Sequence, residues 1–250
     1  MEVKVSLEEI RRWIRFRDRF CVPPEMQVVR TVIEGQPIFF SIANPGDRIQ
    51  RKQMRGRFYE PEELDLIRQH FPPGGVFCDI GANTGNHSIF AARFCGARLV
   101  IPLEPNPAAY RLLVSNFILN DLLEKADLSA LGFGISNRSQ SGFGLSAREN
   151  NLGATQLVEG SGEIELRAGD DLFTDRALDF LKIDVEGMEL DVLEGFAANI
   201  ARSRPKIFLE LARTNEDRFA RWLDQNDYTP LVEGRAFRFN RNVLIGPRRP

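Results

Sequence analysis

The sequence predicts an α/β fold: a mostly parallel sheet of seven strands covered by helices, closed by a C-terminal antiparallel hairpin and preceded by a small α+β extension. Three observations predict it. Apolar strands alternate with amphipathic helices from residue 59 onward, the pattern of a parallel sheet with helices on both faces. Two short strands near the C-terminus share one turn, as a closing hairpin does. At 76–94 a buried strand runs through a glycine-bearing turn into a helix.

The elements follow in order. In the extension (1–58), Ser6 and Glu9 form a capping-box pattern, and Leu7, Ile10, Trp13 and Ile14 share one helical face. Stretches 28–33 and 37–42, separated by Glu34-Gly35-Gln36, read as a hairpin. The main domain (59–250) opens with Pro61 in a first helical turn, followed by the apolar face of Leu64, Leu66 and Ile67. Its core strands are expected at 76–80, 98–103, 128–131, 180–185 and 206–211. Helices are expected near 85–94, 107–119, 188–200 and 215–226, and the closing hairpin at 229–233 and 242–245. Between about 134 and 170 the chain turns rich in Gly, Ser and Asn. That stretch reads as an inserted loop shaping an acceptor pocket.

The 250 residues are 43% hydrophobic and 27% charged, with a formal net charge of −2. This supports one sizeable core and gives no reason to expect nucleic acid as a partner. No apolar run reaches the length of a membrane span, and the charged N-terminus differs from a signal peptide, so a cytoplasmic protein is expected. Cys21, Cys78 and Cys95 are odd in number and lack CxxC spacing, which argues against a disulfide framework or a zinc site. Cys78 reads as a small core residue.

The sharpest feature is the run from Val76 to Asn86, VFCDIGANTGN. Glycine there allows positive φ and close approach of a ligand to the backbone. The following helix N-terminus supplies donors and partial positive charge. A dinucleotide site would want GxGxxG, but Asn83 and Asn86 stand at the second and third glycine positions. The pattern Asp79-x-Gly81-x-Asn83-x-Gly85 fits the looser loop of a methyltransferase. The next strand ends in Glu104, where a carboxylate can accept both hydroxyls of a ribose. Pro105-Asn106-Pro107 then starts a helix, with Asn106 as its N-cap. In LKIDVEGME (181–189), Asp184 and Glu186 stand where a strand meets a helix, bordering the expected ligand crevice.

The chain resembles the FkbM family of methyltransferases. The matching pieces are Tyr59-Glu60-Pro61-Glu62, FCDIGANTGNHSIF (77–90), LEPNPAAY (103–110), Asn116 with Asn120, Asn151-x-Gly153-Ala154, and DFLKIDVEGMELDVLEG (179–195). The resemblance implies a Rossmann-like class I methyltransferase fold, S-adenosylmethionine as methyl donor and O-methylation of a hydroxyl on a sugar, glycan or secondary metabolite. By position, it assigns Asp79, Gly81, Ala82, Asn83, Gly85 and Asn86 to the loop on the methionine side. Glu104, Pro105 and Asn106 fall to the ribose, and Gly132 and Phe133 border the adenine.

A neutral alcohol is a poor nucleophile, so a base or a metal should help remove its proton. Asp184 is expected to serve as base or to orient the acceptor, with capping of the next helix as the plainer alternative. His87, on the first turn after the glycine loop, is a second base candidate or a structural histidine. Glu186 and Glu210 complete the set, and Asp184 with Glu210 could hold a divalent cation. On the acceptor side, Glu60 and Asn151 lie in the matching pieces. The basic run 48–57, with Arg51 and Arg55, is either a solvated face or a lid that recognises an anionic acceptor. Two other functions compete. One is a nicotinamide-dependent oxidoreductase, which the GANTGN loop and Val114, four residues after Tyr110, argue against. The other is a non-catalytic binding module, against which Asp79, Glu104, Asp184 and Glu186 all stand. The extension also leaves a homo-oligomer open.

Overall fold

A computed structural model describes residues 15–16, 19–20, 26–148, 151–160 and 162–248. The expected helix at 6–14 lies outside the described residues, as does Cys21. Two-residue strands β1 (Arg15–Phe16) and β2 (Arg19–Phe20) pair antiparallel. The expected hairpin forms from β3 (Gln27–Ile33) and β4 (Gln36–Ile42). Its two-residue turn, Glu34-Gly35, has positive φ at both positions, which matches the twist of the flanking strands. Ile38, Phe40 and Ile42 alternate into the core, and Phe40 meets Phe58 edge to face. The outer edge of β4 is closed by side chains: Asn120 pairs with both the N–H and C=O of Phe39, and Asn116 accepts from the Ser41 N–H.

Helices α1 (Arg48–Gln53) and α2 (Pro61–His70) lead into the main domain. There follow β5 (Val76–Ile80), α3 (Asn86–Phe94), β6 (Leu99–Leu103) and α4 (Pro107–Leu119). The C-terminal half supplies β11 (Phe180–Ile183), α6 (Glu189–Gly195), α7 (Ala197–Ser203), β12 (Lys206–Ala212), α8 (Glu216–Asn226), β13 (Tyr228–Ala236) and β14 (Asn240–Pro247). These strands form one sheet in the order β13-β14-β12-β11-β5-β6. The last four in that order are parallel, and β13 and β14 add the expected antiparallel hairpin. Ile80 is level with Leu103 on one side and Ile183 on the other, so three strands end together. The chain leaves β5 for β6 and later returns to β11 on the opposite side, which opens a crevice at that point. Phe77 faces one core, with the β4 hairpin, while Val76, Cys78 and Ile80 face the other. Cys78 is a buried free thiol, as expected.

Three expectations are corrected. Among the described residues the main sheet has six strands, because 128–131 is not a strand; a bridge from Ala126 to Val100 stands in its place. The Asp127 carboxylate accepts from the Ser129 N–H and hydroxyl, a local turn that competes with the ladder. The insertion is no plain loop. It contains β7 (Phe133–Ser136), β8 (Gln140–Arg148), β9 (Asn151–Glu159) and β10 (Ile164–Ala168), which form a second sheet in the order β7-β10-β8-β9, followed by α5 (Gly169–Leu172). The helix expected at 188–200 is two helices that meet at Phe196.

Candidate active site

The glycine loop follows from close contacts. Gly81 has φ +80, and a Cβ there would lie 1.9 Å from the Asp184 carbonyl oxygen. Only glycine lets β5 leave the sheet so close to the end of β11. Gly85, also at positive φ, packs under Leu113 and Phe117 of α4. Those contacts hold α3 against α4.

A cleft of about 290 Å³ opens above the strand ends. Gly81, Asn83, Glu104, Pro105 and Asp184 border it on the main sheet, and Phe133, Leu145, Thr155 and Leu157 cover it from the second sheet. Glu104 is 7% exposed. Its oxygens accept from the backbone N–H of Asn83 at 2.9 Å and of Asn106 at 2.8 Å. Burial pushes its carboxyl up to about 7, against the pull of those two amides. Asn106 also caps α4 by accepting from the Ala108 N–H. Gly132 borders neither pocket; its amide donates to the Glu104 carbonyl.

A smaller pocket of about 100 Å³ adjoins the cleft, and Ile49, Gly81, Asn83, Asp184 and Glu186 belong to both walls. Glu60, His87, Glu210 and Arg48 line it. Its acids are not independent. Burial, then Asp184 and Glu60, push Glu210 up to about 8. Glu60 is raised by burial and by Asp184. The buried cation among them is Lys182, with its Nζ 3.3 Å from Asp79, 3.2 Å from Asp184 and 3.2 Å from the Gly81 carbonyl oxygen. Burial lowers its affinity for a proton, but Asp184 and Asp79 outweigh that, so its pKa is raised and it stays charged.

The model of the methyltransferase FkbM domain matches residues 79–238, well over half of the chain. The chain belongs to the FkbM methyltransferase family. Hexuronic acid methyltransferase AglP of Haloferax volcanii is 26% identical to this FkbM chain over 200 residues, covering 78% of this chain and 77% of AglP. Among solved structures, FkbM of Methylobacillus flagellatus shares 16% identity with a TM-score of 0.51, over 79% of this chain and 52% of that one. This chain thus spans about half the length of that relative. A candidate transferase of Pyrococcus horikoshii shares 14% identity with a TM-score of 0.52, over 96% of this chain and 80% of that one. These likenesses fix a Rossmann-like methyltransferase fold, and the family and fold imply S-adenosylmethionine as the donor. The cleft fits that molecule on two counts. It holds a buried strand-end acid for ribose hydroxyls, and the Asn83 Oδ1 is buried without a hydrogen-bond partner among the described residues.

In this FkbM domain the expected residues divide into groups. Glu104, Pro105, Phe133, Asn83 and Gly81 border the cleft, and Ala82, Asn86, His87, Glu60 and Glu210 border the smaller pocket. Asp79, fully buried, borders neither; it accepts from the Ser88 hydroxyl and pairs with Lys182 behind the loop. Asp184 does not cap a helix: α6 begins five residues later, and the Gly187 N–H is taken by Glu189. Arg51, on α1, and Arg55, in the turn after it, are exposed and border neither pocket, whereas Arg48 borders the smaller one. Asn151 opens β9, and its side chain lies outside the described residues. The reading from sequence missed Lys182, although a lysine inside a fully buried strand needs a partner. It also missed Glu63, three residues after Glu60 on one turn of α2. Among the described residues no helix is long and apolar enough to cross a membrane.

Proposed function

We propose that the chain transfers a methyl group from S-adenosylmethionine to a hydroxyl of a sugar, with an acidic sugar as the favoured acceptor. One observation carries this reading: the donor-sized cleft and the acidic pocket share Gly81, Asn83 and Asp184 in their walls. When bound, S-adenosylmethionine supplies an electrophilic methyl on its sulfonium. Glu104 would accept the ribose hydroxyls, and the Asn83 Oδ1 would accept from the ammonium of the methionine end. Asp184, 33% exposed at the junction, would orient the acceptor hydroxyl and take up its proton as the methyl leaves the sulfonium sulfur for that oxygen. Lys182 holds Asp184 in place. Arg48, in the wall of the smaller pocket, is the cation for an acceptor carboxylate, and AglP acts on a hexuronic acid.

The test joins calorimetry to turnover. S-adenosylmethionine and S-adenosylhomocysteine should bind saturably and NAD should not, with Glu104→Ala weakening both by tenfold or more. Incubation with uronic acids and neutral sugars should yield a methylated product. Asp184→Asn should lose turnover while keeping donor affinity. Binding of NAD instead would sink the reading, and full turnover in Asp184→Asn would remove Asp184 from it.

A further inference from the structure

Glu60, Glu63 and His87 each offer one ligand atom, and these three atoms lie within 4.8 Å of one another. His87 Nε2 is 3.7 Å from Glu60 Oε2 and 3.8 Å from Glu63 Oε2, too far for hydrogen bonds. Its side chain is 6% exposed, and Nε2 is buried with no hydrogen-bond partner among the described residues. An orphaned imidazole nitrogen aimed between two carboxylates needs a third party. Ligand atoms about 2.1 Å from a shared cation stand roughly 3–3.5 Å apart, a little closer than the two carboxylate–imidazole distances here.

We propose that Glu60, Glu63 and His87 form a binding site for a divalent transition cation such as manganese or zinc. The donor set selects that class, because imidazole favours such ions over magnesium or calcium while carboxylates accept either. The surroundings agree. Burial pushes His87 down to about 3, so its imidazole is neutral, the form that ligates. Lys182 does not fill the gap, being committed to Asp79, Asp184 and the Gly81 carbonyl. Asn242 Nδ2 donates to Glu63 Oε1 and orients that carboxylate from behind. Glu60 takes a left-handed backbone (φ 55) at the start of α2 and leaves the helix cap unmade. Such a conformation costs energy in a non-glycine residue and persists where something else fixes the side chain. Glu60 and His87 also line the smaller pocket, where the proposed acceptor would sit.

The experiment reads binding and is independent of methyl transfer. The full chain, stripped with chelator, is titrated with manganese chloride and followed by electron paramagnetic resonance. One equivalent should be taken up. His87→Ala and Glu63→Gln should each weaken uptake at least tenfold, and Glu62→Gln, on the exposed face of α2, should not. In the unsubstituted chain, zinc chloride should shift the ring signals of His87 and leave those of His70, the other histidine, in place. No saturable uptake, uptake that survives both substitutions, or a shift confined to His70 would overturn the proposal. The zinc arm needs no variant, so the proposal stays testable if a substitution unfolds the chain.

Discussion

Glu104 holds both of its oxygens against backbone amides inside the cleft, yet burial still pushes its carboxyl up to about 7. The proposed ribose role needs the carboxylate. As pH falls through 7 the group takes up a proton, so donor affinity should fall with it, by about tenfold from pH 8 to pH 6. Calorimetry across that range, in buffers of different ionisation enthalpy, should show proton release on binding, and Glu104→Gln should flatten the profile. A flat profile in the unsubstituted chain would exclude Glu104 as the titrating contact. At this scale much was legible. Glu104 and Asp184 end apolar strands, where a carboxylate has little reason to be unless a ligand is near. Lys182 was hidden because its more buried partner, Asp79, comes from β5, which only the fold brings beside β11.

At the scale of elements, the site rests on how closely β5 and β11 approach at their ends. A Gly81→Ala methyl would meet the Asp184 carbonyl, and the +80° φ adds strain. The substitution should lower the melting temperature by several degrees and weaken donor binding at least tenfold. Gly142 makes a fair comparison. It too has positive φ, but no atom lies within 4 Å of its added Cβ, so Gly142→Ala should cost only about 1–2 kcal/mol and spare binding. Equal losses in the two variants, by thermal melts and calorimetry, would count against the close-approach argument. The regular alternation of β5, β6, β11 and β12 made those strands readable, because buried parallel strands are continuous apolar runs. The second sheet was not readable: glycines interrupt β8 and β9, and their pattern looks like loop until β10 pairs with both β7 and β8.

Across the whole molecule, the N-terminal hairpin and the donor loop are tied through one helix. Asn116 of α4 accepts from the Ser41 N–H and donates to the Thr84 carbonyl, so one side chain joins β4 to the glycine loop. Four residues on, Asn120 pairs with Phe39 on both sides of its backbone. Asn120→Ala should leave that N–H and C=O without partners and cost about 1–3 kcal/mol. Hydrogen exchange at Phe39 should accelerate well ahead of exchange in β5, whereas uniform exchange would mean the hairpin opens only with the global fold. The two asparagines stood out in the sequence only through the family resemblance; their spacing on one helical face did not disclose that they act as a strand's missing neighbour. That substitution of side chains for a strand has a consequence for behaviour in a crowded cell. The outer rim of β4 offers no free row of amides and carbonyls to another unfolding chain. Loss of either asparagine would therefore create a sticky template for aggregation before it produced an unfolded protein.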